Sequence, residues 1–148
     1  MKIYVASSWR NDIQPEIVEI IRNEGHDVYD FKNPPNDAGV GLGFHWSEID
    51  DGWQNWNAGT YIEALKHPVA EAGFKSDFDA MQWCDACVLV MPCGRSAHLE
   101  FGWCAGENKQ TVYLLDSEKM VEPELMVKMS GLITANIDEM LEFLKVEK

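Results

Sequence analysis

The chain has 148 residues, with 12 Lys and Arg against 25 Asp and Glu, which gives a formal net charge of −13. That length suits a single domain, and 46% hydrophobic residues with 6 Pro exclude a disordered or collagen-like chain. The acidic balance excludes a nucleic-acid polymer or an anionic membrane as partner, since either needs a basic face; a few local donors can still hold one small anion.

In chain order, Met1 to Ala6 is too short an apolar run for a signal peptide before Ser7, Ser8, Trp9 and Arg10 intervene. Ile3 to Ser7 reads as a first strand. Asn11 or Asp12 then caps a helix whose Ile13, Ile17, Ile20 and Ile21 share one face, with Pro15 in its first turn and Gly25 at its end. Asp27 to Phe31 reads as a second strand, preceded by His26, which like His67 sits at an element end. The stretch from Asn33 to Asn57 exceeds the ~12 to 15 residues expected of a plain loop, and reads as an insertion or lid. It opens with Pro34-Pro35 and Gly39, Gly41 and Gly43, and then carries Trp46, Ile49, Trp53 and Trp56 at helical spacing. This stripe either packs a short helix onto the body or presents a ring, or His45, to a base or other flat ligand.

Further on, Ser76-Asp77-Phe78-Asp79 reads as a capping box opening a helix that runs to Cys84, which makes Asp79 structural and leaves Asp77 for other work. Ala86 to Met91 is a third strand, Thr111 to Leu115 a fourth and Leu132 to Ala135 a fifth, separated by helical patterns at Ser96 to Glu107, Glu122 to Met129 and Ile137 to Lys145. The longest apolar stretch, Ala86 to Pro92, falls short of the ~20 residues of a membrane helix, so a cytoplasmic protein is expected. Cys84, Cys87, Cys93 and Cys104 are then expected to be reduced, small hydrophobes. Apolar strands alternating with amphipathic helices predict an α/β fold: a parallel, doubly wound sheet covered on both faces.

Ligands of such a sheet bind beyond the carboxyl ends of its strands. Ser7, Ser8, Arg10 and Asn11 arrive there after the first strand; Gly94, Arg95 and Ser96 arrive after the third, and lead into a helix carrying Glu100. A helix of about 12 Å from Asp77, followed by a strand of about 20 Å running back, returns Asp77 to the same edge. Two carboxylates beside hydroxyls, an arginine and a helix N-terminus suit glycosidic chemistry, in which one attacks the anomeric carbon and the other manages protons. Acidic residues at helix starts also serve as plain caps.

The segments Ile3-Tyr4-Val5-Ala6-Ser7-Ser8-Trp9-Arg10, Asp77 eight residues before Asp85, and Val88 through Pro92-Cys93-Gly94-Arg95-Ser96-Ala97-His98-Leu99-Glu100-Phe101-Gly102 together resemble the nucleoside 2-deoxyribosyltransferase family. The resemblance covers most of the chain outside residues 33–57. It implies a flavodoxin-like (Rossmann-like) three-layer sandwich with a five-stranded parallel sheet. It also implies cleavage of a nucleoside or nucleotide N-glycosidic bond through a covalent glycosyl-enzyme, with the sugar passing to another base or, in the 5′-monophosphate N-glycosidase branch, to water. By this resemblance Glu100 matches the nucleophile, Asp77 the carboxylate that assists at sugar and base, and Tyr4 the tyrosine that orients the nucleophile. Tyr4 equally suits the core of its strand. Ser7, Ser8 and Arg10 fall in the turn that helps hold the sugar phosphate, and Gly94, Arg95 and Ser96 lie where that branch contacts phosphate. Arg95 and His98 depart from the family pattern. His45 and Trp46 are the insertion's candidates for the base. The expected partners are a small nucleoside or nucleotide, a free base and further copies of the chain, with no cofactor.

Other constellations fit less well. Cys84-x-x-Cys87 with His98-x-Glu100 reverses the order of a zinc deaminase, and a strand start sets the two cysteines on different faces, so no metal is expected. A nucleotide sensor on the same fold, binding without cleaving, is the alternative of a different class.

Overall fold

Strands buried on both faces read as continuous apolar runs, and the two central ones here, β3 (Ala86–Val90) and β4 (Gln110–Leu114), are buried at every residue. In the computed structural model, which describes residues 1–34 and 43–145, they pair in parallel with each other, β3 also with β1 (Lys2–Ala6) and β4 with β5 (Leu132–Thr134), while β2 (Asp27–Asp30) pairs in parallel with β1. The strand order β2-β1-β3-β4-β5 is that of a flavodoxin-like sheet. The chain divides into two compact units: Met1–Asp30 with Trp83–Lys148, and Phe31–Gln82.

The first unit holds the sheet. Alternate strand residues Ile3, Val5, Ala86, Val88, Val90, Val112 and Leu114 pack with Ile17, Val18 and Ile21 of α1 (Gln14–Asn23) and with Met140 and Leu144 of α5 (Ile137–Leu144). Side chains alternate along a strand, so Tyr4, Ala6, Cys87, Leu89 and Tyr113 face the other way. There α4 (Arg95–Gly106) packs with Ala97, Phe101 and Cys104 buried. Thus the sheet is covered on both faces within this unit.

Local chemistry sets the boundaries of α1. The Asn11 carboxamide oxygen accepts from the Ile13 and Gln14 N–H groups at 3.0 and 2.8 Å, as the capping reading expects. Gly25, at φ +87°, closes the helix in the left-handed region that glycine tolerates. The predicted helix over Glu122 to Met129 is instead a 3-10 turn over Leu125–Met129. Pro123 disfavours helix at Glu122 and supplies no N–H, and the Glu124 carboxylate accepts from the Met126 N–H at 3.1 Å.

The second unit contains α2 (Ala58–Ala64) and α3 (Pro68–Trp83), whose last residue leads back to the sheet. The predicted insertion falls inside it; Pro35, Gly39 and Gly41, at the start of that insertion, lie outside the described residues. The Ser76 capping box is not formed, because α3 begins eight residues earlier. Pro68 suits a helix start, and the His67 Nδ1 accepts from the Val69 N–H at 3.1 Å, so His67, placed at an element end by the sequence, caps this helix. Asp79, within the helix, pairs with Lys75. The Trp stripe is not one helix either. Trp46–Glu48 and Trp53–Asn55 are separate 3-10 turns, broken where the Asp50 carboxylate accepts from the Gly52 N–H at 2.8 Å. Among the described residues no helix is long and apolar enough to cross a membrane.

Candidate active site

In strand order β2-β1-β3-β4-β5 the connection from β1 runs to α1 on one face, and the connection from β3 runs to α4 on the other. The carboxyl ends of β1 and β3 therefore flank the switch point at which open α/β sheets bind ligands. Two of the three predicted residue groups meet there, and hydrogen bonds tie them together. The Ser7 hydroxyl donates to the Val90 carbonyl at 2.7 Å, and the Asn11 carboxamide donates to the Val90 and Pro92 carbonyls at 3.4 and 3.0 Å. With its proton committed to Val90, Ser7 holds the turn. Ser8 accepts from the Arg10 N–H at 3.2 Å, which leaves the Ser8 O–H as a donor. Arg10, Arg95 and Ser96 are exposed.

Gly94 caps α4 with extended backbone, so the N–H groups of the first helical turn open at this edge. Glu100 lies one and a half turns in, half-buried, beside the Ala97, Phe101 and Cys104 stripe that faces the sheet. Tyr4 is wholly buried on β1, on the face that α4 covers, and stacks on Tyr29 at 5.2 Å and 16°. Tyr4 is therefore a core residue of its strand, on the face that α4 covers.

Sequence reasoning missed a small network around the base of α4. The His98 Nδ1 donates to the Gly94 carbonyl at 2.8 Å, which fixes the tautomer, and the Tyr113 hydroxyl stands 3.4 Å from the His98 Nε2. Its only sequence signal was the alternation that puts Tyr113 on the α4 face. The Cys93 sulfur lies 3.6 Å from the His98 Nδ1. Burial, and after it the negative charge of Glu100, push the Cys93 thiol up to about 12. Burial, then the charge of Cys93, also raises the Tyr113 phenol. An open groove of about 750 Å³ beside α4 is lined by Cys93, Gly94, Arg95 and His98, facing Met126 and Met129 of the 3-10 segment.

The proximity of Cys93 to Glu100 can be tested in solution. Replacing Glu100 by Gln removes the charge that disfavours the thiolate, so Cys93 should react several-fold faster with iodoacetamide at fixed pH, measured by mass spectrometry of the modified peptide. Buried Cys84, Cys87 and Cys104 serve as internal controls. An unchanged Cys93 rate would separate the two groups.

Asp77, His45 and Trp46 belong to the second unit. Asp77 is half-buried on the face of α3 that also carries Gly73 and Ala80, and it has an interaction partner of its own rather than being left over. His45 is a cap: its Nδ1 accepts from the Ser47 N–H at 3.1 Å, and its own N–H donates to Glu48 at 2.8 Å. Trp46 forms part of an aromatic cluster with Phe44, Trp56 and Tyr61. Among the described residues no group of three or more His, Cys, Asp or Glu side chains could hold a metal ion. The Cys84 thiol is held far above its ordinary value, by its hydrogen bond with Cys104 and then by burial.

No known family model matches the chain, and neither does any curated protein. Among solved structures the chain is similar to the 2-deoxyribosyltransferase of the psychrotolerant bacterium Bacillus psychrosaccharolyticus, at 17% identity, 95% coverage of this chain, 90% of that one and a TM-score of 0.57. It is also similar to the CMP N-glycosidase of Clostridium botulinum, at 18% identity, with 99% and 100% coverage and a TM-score of 0.51. With an all-parallel sheet in flavodoxin-like order and a likeness that spans nearly the whole of all three chains, this protein has the 2-deoxyribosyltransferase fold.

Proposed function

We propose that the protein cleaves the N-glycosidic bond of a small nucleoside or nucleotide, with Glu100 as nucleophile, and passes the sugar to another base. The observation that carries this reading is the position of Glu100. It is half-buried on α4, the helix that follows the β3 end of the switch point, in a fold shared with a 2-deoxyribosyltransferase and a CMP N-glycosidase. In the first step a Glu100 carboxylate oxygen bonds to the anomeric carbon while the carbon–nitrogen bond breaks, its electron pair leaving on the base. In the second step a nitrogen of the incoming base attacks the same carbon and releases Glu100. Asp77 is assigned the proton that the base gains or loses, and Tyr4 the orientation of the Glu100 carboxylate.

Ser8, Arg10, Gly94, Arg95 and Ser96 are assigned to the sugar hydroxyls or a 5′-phosphate. Two guanidinium groups, two hydroxyls and helix-end N–H groups suit an anion, whatever the overall charge of the chain. Transfer to water is the second reading, and similarity over the full length of the CMP N-glycosidase favours it.

Chromatography of the purified protein with ribo- and deoxynucleosides and their 5′-monophosphates, each with and without a second free base, tests both readings. A new nucleoside that appears only with acceptor is the expected result. Free base and sugar accumulating without acceptor would mean hydrolysis. Binding without any turnover would overturn the enzyme in favour of a sensor.

A further inference from the structure

The second unit contains a pocket of about 340 Å³ whose lining residues include Trp46, Trp53, Trp56 and Tyr61. Its walls meet near right angles: Trp46 and Trp56 lie 5.6 Å apart at 77°, and Trp46 and Tyr61 lie 6.0 Å apart at 79°. Two parallel rings would sandwich a flat base. Perpendicular rings instead present several faces to one rounded body, the arrangement that attracts an organic cation through ring quadrupoles.

The walls are fixed before any ligand arrives. The Trp56 indole N–H donates to Asp50 at 2.8 Å. The His45–Glu48 capping box sets Trp46. Reciprocal bonds of 2.9 Å between Asn57 and Thr60 set the first turn of α2, which bears Tyr61. The field has the matching sign as well. Across Trp56 a second hollow is lined by Asp50 and Glu63; Glu63 is paired with Lys66 at 3.0 Å, so the negative field rests on Asp50, and among the described residues neither hollow is lined by a Lys or Arg. The hydrogen bonds from Trp56 and Gly52 hold the Asp50 carboxyl below the usual carboxylate range, so it keeps its charge.

We propose that this pocket binds an organic cation of the methylated-ammonium class, a function other than the N-glycosidic chemistry assigned to Glu100. Choline is the probe, its neutral isostere 3,3-dimethylbutan-1-ol the control for shape, and adenosine the control for a flat ligand. The readout is the indole N–H resonances of the full chain, with Trp9, Trp83 and Trp103, which do not line the pocket, as internal references. Choline should shift Trp46, Trp53 and Trp56 saturably, with an affinity at least about tenfold above that of the isostere. Tyr61→Ala should weaken choline by about tenfold, and because Tyr61 is 47% exposed the indole resonances of the free variant other than that of Trp46, whose ring it contacts, should persist. Equal binding of the isostere would reduce the pocket to an apolar hollow. Tighter binding of adenosine at the same resonances would make it a site for flat rings, and no saturable shift with choline would overturn the proposal outright.

Discussion

Glu100→Ala is expected to lower turnover of the best nucleoside or nucleotide substrate by at least roughly a thousandfold while leaving the melting temperature nearly unchanged. The first half follows from covalent catalysis: without the carboxylate no glycosyl-enzyme forms, and losses on removing a nucleophile are commonly of that order or larger. The second half follows from the packing of α4. Ala97, Phe101 and Cys104 carry the contact with the sheet, Glu100 is half-buried beside them, and alanine is the strongest helix former. Chromatographic turnover and a thermal melt on the same preparation check both halves. Turnover close to that of the unsubstituted chain would remove Glu100 from the mechanism.

Leu114→Ala should cost about 3 kcal/mol, read from urea unfolding followed by circular dichroism. Leu114 is 1% exposed at the end of β4, between Val90 of β3 and Thr134 of β5, and it lies in the cluster that joins the sheet to α1 and α5. Its truncation leaves a hole in a region pinned on both sides, where little relaxation is available. Leu99→Ala is the paired control: Leu99, on the outer side of α4, is 76% exposed, so its loss should be nearly neutral. A comparable cost at both positions would mean that the outer side of α4 is covered in solution.

Elements whose pattern is dictated by burial were legible in the sequence. All five strands lie within one residue of their predicted starts and ends, because a covered sheet favours apolar runs, with buried polar residues such as Asp30, Gln110 and Thr134 at the strand ends. Asn11 and Gly25 marked the ends of α1 because each supplies a conformation or bond that few residues can. The start of α3 was hidden. Ser76 to Asp79 has the composition of a cap, yet those residues sit mid-helix, where Asp79 finds Lys75, while the working start signal was the single Pro68 after His67.

The tryptophan spacing misled for a related reason. A periodicity of one face presumes unbroken backbone, and the Asp50–Gly52 turn breaks it, bringing Trp46 and Trp56 into contact by reversal of the chain. At the candidate site, the residues at the ends of β1 and β3 could be placed from the alternation of strands and helices alone. The link from His98 to Tyr113 could not, since it depends on β4 lying next to β3, and adjacency is a property of the sheet rather than of either segment.

The carbonyls of Val90 and Pro92 receive donors from the turn after β1, from Ser7 and Asn11, while Asn11 simultaneously holds the first N–H groups of α1. The two loops at the switch point are thereby mechanically one part. Anyone grafting the residues after β1 from another protein of this fold, in the hope of importing its substrate preference, would have to transplant the β3–α4 turn and Asn11 together with them, as a cassette.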